Sequence, residues 1–190
     1  MTLILSFDPA QTTGYAYYDD QAPLAAIEAG TIKCIGESYE DKAASLGRSL
    51  VKIIKAKRPD FIAIEMPIRT QPGQQKRNVK FMGEEQQIES SGSGLNAVIS
   101  SNQLVGAISA IVGAYNIEFV TIAPVTWRKS FLGFGTHKGW TRQDWKKAVR
   151  DRCASLRIVV TNSDQADAVG IAFAASHHAA VRALKAKVAA

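Results

Sequence analysis

Short apolar runs open this chain, helical periodicity follows, and the two then alternate to the end. Leu3-Ile4-Leu5-Ser6-Phe7 reads as a strand over residues 2–8, closed by Asp8 and the turn-forming Pro9-Ala10-Gln11-Thr12-Thr13-Gly14. Residues 14–18 and 25–33 read as two further strands joined by the polar Asp19-Asp20-Gln21. From about Ser38 the apolar positions fall at helical spacing: Ala44, Leu46, Leu50, Val51 and Ile54. Glu40 and Asp41 sit in the first turn of this helix and Pro59 lies beyond its end. Residues 61–65, short and apolar, suit a buried parallel strand reached through that helical crossover.

Between residues 69 and 94 the pattern breaks down. Gln, Gly, Ser and charges dominate, and only Val79, Phe81, Met82 and Ile88 are strongly apolar. This predicts a long surface loop, mobile without a partner, of the kind that is usually functional when it interrupts a compact domain. A helix over 95–115, a strand over 118–122 and a short helix over 124–132 follow. The short helix has Pro124 at its start and Gly133 past its end. Thr141 and Asp144 form a capping-box start for a basic helix. Residues 158–160 read equally as strand or connector, and a last helix runs from near Ser163 to the alanine-rich C-terminus. The order describes one α/β domain over residues 1–190: a mixed sheet of three antiparallel and two parallel strands, flanked by helices.

Composition changes this picture little. The 190 residues, 46% hydrophobic and 21% charged, suit a single folded domain with a sizeable core. No apolar run is read as a membrane span, and no basic segment precedes the first apolar run, so a cytoplasmic setting is expected. If the chain is encoded by a phage, that means the host cytoplasm. Cys34 and Cys153 lie far apart and are expected to be reduced and semi-buried. Charge is more telling. Residues 127–157 carry nine basic residues (Arg128, Lys129, Lys138, Arg142, Lys146, Lys147, Arg150, Arg152 and Arg157) against Asp144 and Asp151. That segment is +7 in a chain of net +6, so the remainder is nearly neutral. Concentrated positive charge suits a polyanionic partner.

Four carboxylates stand where elements begin or end. Asp8 and Glu65 close apolar strands, and Asp164 and Asp167 share one face near the start of the last helix. Acids at strand ends are costly unless solvated, hydrogen-bonded or bound to a cation. Several acids without a matching His or Cys cluster favour a hard, oxygen-preferring ion such as Mg²⁺ or Mn²⁺. In phosphodiester hydrolysis two such ions, roughly 3.5–4 Å apart, activate a water and stabilise the leaving oxygen. Asp8, at the end of the first strand, is placed to bridge them.

Three segments, Phe7-Asp8-Pro9-Ala10-Gln11-Thr12-Thr13-Gly14-Tyr15, Ile62-Ala63-Ile64-Glu65 and Asp164-Gln165-Ala166-Asp167-Ala168-Val169-Gly170-Ile171-Ala172, occur in an order and spacing that resemble the RuvC-type Holliday junction resolvases of the ribonuclease H-like superfamily. The resemblance spans essentially the whole chain. It departs at Ala10, where a Gly is usual, and in the longer stretch after Glu65, which is more like bacteriophage resolvase-like proteins. It implies a ribonuclease H-like fold and a homodimer that nicks four-way DNA junctions, with two Mg²⁺ or Mn²⁺ ions per site held by Asp8, Glu65, Asp164 and Asp167, and no small-molecule cofactor. Flaps, forks and RNA–DNA hybrids are alternative substrates. A catalytically quiet branched-DNA-binding protein and an actin-like ATPase or kinase fragment are alternatives of another class. The last usually needs two domains and more residues than this chain has.

DNA contacts are expected from Arg69, Lys76, Arg77 and Lys80, with Phe81 or Met82 inserting at broken stacking. Arg128 and Lys129 stand where similar enzymes carry a basic pair, and Lys138, beside His137 in a Gly-rich loop, suits backbone contact. Trp127, Trp140 and Trp145 interleave with basic residues, a pattern open to base stacking, but core packing is expected for at least two. His177 and His178 are assigned surface or packing roles. The helix over 95–115 carries apolar residues on more than one face, enough to serve core and partner together.

Overall fold

In the computed structural model the backbone is described for residues 1–67, 76–81, 84–89 and 93–189, and side chains for 1–67 and 95–187. Strands β1 (Leu3–Asp8), β2 (Thr12–Asp19), β3 (Glu28–Lys33), β4 (Phe61–Glu65) and β7 (Glu118–Ile122) form one sheet in the order β3-β2-β1-β4-β7. β1, β2 and β3 pair antiparallel, whereas β4 and β7 add in parallel, as the strand pattern predicts. Helices α1 (Tyr39–Ala56) and α2 (Ser93–Ala114) cover one face; α3 (Pro124–Leu132), α4 (Arg142–Ser155) and α5 (Ser163–Ser176) cover the other, with α6 (Ala179–Ala189) following.

Alternation along the strands explains both layers. Ile4, Phe61 and Ala63 face α3–α5, while Leu5, Phe7, Ile62 and Ile64 face α1 and α2. All seven are wholly buried, so the central strands are apolar on both sides, as parallel strands between helical layers must be. α1 begins with a Ser38–Asp41 capping box and α4 with a Thr141–Asp144 box, each satisfying free N–H groups of the first turn. α5 is the central helix. Its Ala166, Ala168, Gly170, Ala172 and Ala175 are buried, and such small side chains let its backbone lie close to the sheet. Ser6 Oγ donates to the Ala168 carbonyl at 2.7 Å, tying β1 to α5.

Several expectations change. The segment read as a loop contains β5 (Lys76–Phe81) and β6 (Glu84–Glu89), paired antiparallel in a separate sheet. Their register sets Lys76 opposite Glu89 and Lys80 opposite Glu85, a charge complementarity that a hydrophobicity scan does not register. Residues 158–160 form no strand. The last helix is two, broken at His177 and His178: the His177 Nδ1 lies 3.0 Å from the Phe173 carbonyl, and Ala180 N–H donates to His178 Nδ1. Both histidines thus serve the helix break. Finally, α2 is long and apolar enough by composition to cross a membrane, over residues 95–114 with mean hydropathy 1.5. Its Leu104, Val105, Ile108 and Val112 are buried in the core layer it shares with α1.

Candidate active site

Asp8 and Glu65 end neighbouring parallel strands, so they emerge side by side at the carboxyl edge of the sheet, where open α/β sheets place their ligands. Asn162 caps α5 through its side chain, which accepts from Gln165 N–H at 2.9 Å. This fixes the first turns that carry Asp164 and Asp167. All four carboxylates line one cleft of about 630 Å³, together with Gln11, Arg128, Arg142, Trp145 and Lys146.

The close approach of α5 to the strands depends on Gly14. A Cβ there would lie 1.9 Å from the carbonyl oxygen of Asp164 and 2.4 Å from its carbon. The glycine that seemed to end a turn stands inside β2, opposite Asp8 in register, and is a packing residue.

Burial and mutual repulsion perturb the acids of the cleft. Burial pushes the Asp8 carboxyl well above the usual range, and repulsion from Glu65, Asp167 and Asp164 adds to it, against some relief from Lys146. Asp167 is pushed up to about 7, chiefly by burial and then by Glu65. Burial also raises Glu65, opposed by a hydrogen bond from the Trp127 indole and by the Arg128 charge. That indole Nε1–H donates to Glu65 Oε2 at 2.7 Å from a fully buried ring. Lys146 Nζ lies 3.6 Å from Asp164 Oδ1.

An all-carboxylate donor set in one cleft fits Mg²⁺ or Mn²⁺ chemically. Among the described residues no three acids are drawn together closely enough to hold an ion as they stand. Asp164 shares the cleft with the Lys146 ammonium, which pairs with its Oδ1.

Of the basic residues expected near the site, Arg128 lines the cleft and Lys129, exposed on α3, does not. Lys138 is exposed on the loop beyond α3. Arg69 lies outside the described residues. Lys76, Arg77, Lys80 and Phe81 belong to β5, but their side chains are outside the described set. Of the three tryptophans only Trp127 is wholly buried; Trp140 and Trp145 are half-buried. Sequence reading counted Arg142 and Lys146 only as charge and did not place them, or Trp145, at the cleft. The i, i+3, i+4 spacing of the three on one helix face was the available signal.

The mixed five-stranded sheet, with helices on both faces and a cleft at its carboxyl edge, has a ribonuclease H-like fold. The resemblance read from the three motifs holds along the chain. It is 26% identical to the crossover junction endodeoxyribonuclease RuvC of Rickettsia conorii over 176 residues, which cover 90% of this chain and 94% of that protein. The fold is similar to that of Thermus thermophilus RuvC in complex with a Holliday junction substrate (TM-score 0.63, 13% identity, 92% of each chain). It is also similar to the Fowlpox virus resolvase bound to substrate Holliday junction DNA (TM-score 0.51, 13% identity, 92% of this chain and 97% of that one). No family model matches the sequence.

Proposed function

We propose that this chain is a divalent-metal-dependent endonuclease that nicks four-way DNA junctions. The observation that carries the reading is the convergence of Asp8, Glu65, Asp164 and Asp167, from β1, β4 and α5, on one cleft edged by Arg128, Arg142 and Lys146. The Rickettsia protein, a crossover junction endodeoxyribonuclease by name, and the Thermus and Fowlpox proteins, each in complex with Holliday junction DNA, support the substrate. The four acids would hold two Mg²⁺ or Mn²⁺ ions, which supply an activated water and charge neutralisation at the leaving oxygen. Trp127 orients Glu65 by its hydrogen bond, and Arg128 presents a guanidinium to the phosphate. Incubation with Mg²⁺ and labelled junction, flap, fork, duplex and RNA–DNA hybrid tests the reading. Preferential, symmetric nicking of the junction is expected. Equal cutting of linear duplex, or no cutting of any branched DNA, overturns it.

Symmetric nicking calls for a homodimer, and α2 is the surface proposed for it. Leu95 (50% exposed) and Ile99 (39%) continue into the exposed Gly106, Ala110 and Gly113 along one helical stripe. A Cβ at Gly106 meets no atom within 4 Å. Gly106→Arg therefore leaves the fold intact and gains helix propensity, on the order of 0.5–1 kcal/mol. It is expected to convert a dimer to a monomer in light scattering without lowering the melting temperature. A variant that stays dimeric places the interface elsewhere.

A further inference from the structure

The loop after α3 and the first turns of α4 hold an aromatic cluster that the proposed reaction does not use. Phe134 meets Trp140 edge-on at 5.3 Å and Trp145 at 5.8 Å, and Trp140 meets Trp145 at 4.8 Å. His137 lies nearly flat on Trp140, with ring centroids 4.5 Å apart and planes 29° apart. Such rings ordinarily fill a core. Here His137 is exposed, Phe134 is 38% exposed, and both tryptophans are half-buried. The cluster adjoins the acidic cleft, because Trp145 lines both. The Arg128 guanidinium is held between Trp145 at 5.0 Å and Trp127 at 5.2 Å, and its buried Nε has no hydrogen-bond partner among the described residues.

We propose that this cluster is a base-stacking subsite: an unpaired nucleobase beside the scissile phosphate stacks on the His137–Trp140 pair. Arg128, Arg142 and Lys138 then face the adjoining phosphates. The inference rests on the nuclease reading and deepens it. Three observations favour a nucleic acid strand over an apolar protein partner. Arg128 lies over Trp145, and Lys138 and Arg142 are close in sequence to the rings; the nearby acid Asp144 is engaged by Thr141 in the helix cap; and the platform adjoins the cleft through Trp145. Aromatic faces stack on any base, and Arg adds a cation–π contact. Bases inside a duplex have both faces covered, so the occupant is a base exposed at a branch point or flipped out.

The test uses four-way junctions in which one nucleotide at a time around the nick position is made abasic, with binding measured in Ca²⁺. For the parent chain, affinity is expected to fall about 5- to 100-fold at one or two positions. Trp140→Ala is expected to lose a similar factor on the intact junction and to show no further loss at those positions. Trp140→Phe restores the positional sensitivity, and His137→Ala supplies a second variant with a smaller structural change. A flat abasic profile for the parent overturns the subsite, as does unchanged positional sensitivity in Trp140→Ala. So does conversion of a dimer to a monomer by these variants with DNA binding intact, which would give the face to a second copy. Normal junction cleavage with a flat profile removes the subsite alone, whereas no binding to any branched DNA removes the nuclease reading with it.

Discussion

Replacing Asp8 by Asn is expected to reduce junction cleavage to background while making the metal-free protein more stable than its parent above neutral pH. The carboxyl is held well above its ordinary range, first by burial and then by Glu65, Asp167 and Asp164. Asp167, pushed to about 7, behaves in the same sense. An acid that titrates higher folded than unfolded binds its proton more tightly in the native state. Its penalty is absent at low pH and grows as pH rises from about 4 through about 7. The metal-free parent should therefore lose stability across that window. Asn imitates the protonated acid at every pH, so the two proteins should melt together below about pH 4 and separate by roughly 3–6 °C at pH 8. Mg²⁺ raises the melting temperature of the parent and not of Asp8→Asn, because ligand binding stabilises only where the site exists. Junction binding in Ca²⁺ persists, since the cations that face phosphate remain. Near-parent cleavage by Asp8→Asn would show that the acids of this cleft are not the catalytic set. Parallel melting of the two proteins at all pH values would remove the electrostatic account.

Gly14→Ala is expected to be nearly as damaging to cleavage, although residue 14 carries no chemistry. Its Cβ would sit 1.9 Å from the Asp164 carbonyl oxygen and 3.2 Å from Gln165 N. These are backbone atoms, so no side-chain rotation relieves the clash. The first turn of α5 must move by more than an ångström, against buried alanines and the Ser6–Ala168 hydrogen bond that hold the helix. Overpacking of this kind costs about 1–3 kcal/mol, or roughly 2–12 °C in melting temperature for a chain this size. Displacing Asp164 and Asp167 by that distance should lower cleavage on the order of 100-fold. The Mg²⁺-induced rise in melting temperature should shrink as well, since the acids no longer meet. A variant with parental melting temperature and parental cleavage would show that α5 does not seat on β2 at this point.

Much of the architecture was readable from spacing alone. Phe61–Glu65, Glu118–Ile122 and Pro124–Leu132 have the boundaries that their apolar runs and flanking Pro and Gly predict. The Thr141–Asp144 capping box places the start of α4, because caps are local hydrogen-bond chemistry written in adjacent residues. The four carboxylates were legible for the same reason, as polar interruptions at the ends of apolar elements. β5 and β6 were not, since their residues show no apolar alternation to mark them as strands. The break at His177 and His178 was hidden because alanines on either side continue a helical composition.

The sequence by itself determined the order of the five strands of the main sheet and of helices α1 to α4, the burial of the central strands, and which acids close which elements. Each follows from periodicity and capping within a few residues. Only the tertiary structure decided that Gly14 is a seat for α5, that Arg128 and not Lys129 faces the cleft, and that Lys146 holds Asp164. The same holds for Trp145, which joins an exposed aromatic surface to the acids. Those facts depend on the distance and rotation between elements far apart in the chain. Packing of the small α5 side chains against β1 and β2 sets that geometry, and it appears in no local pattern of residues.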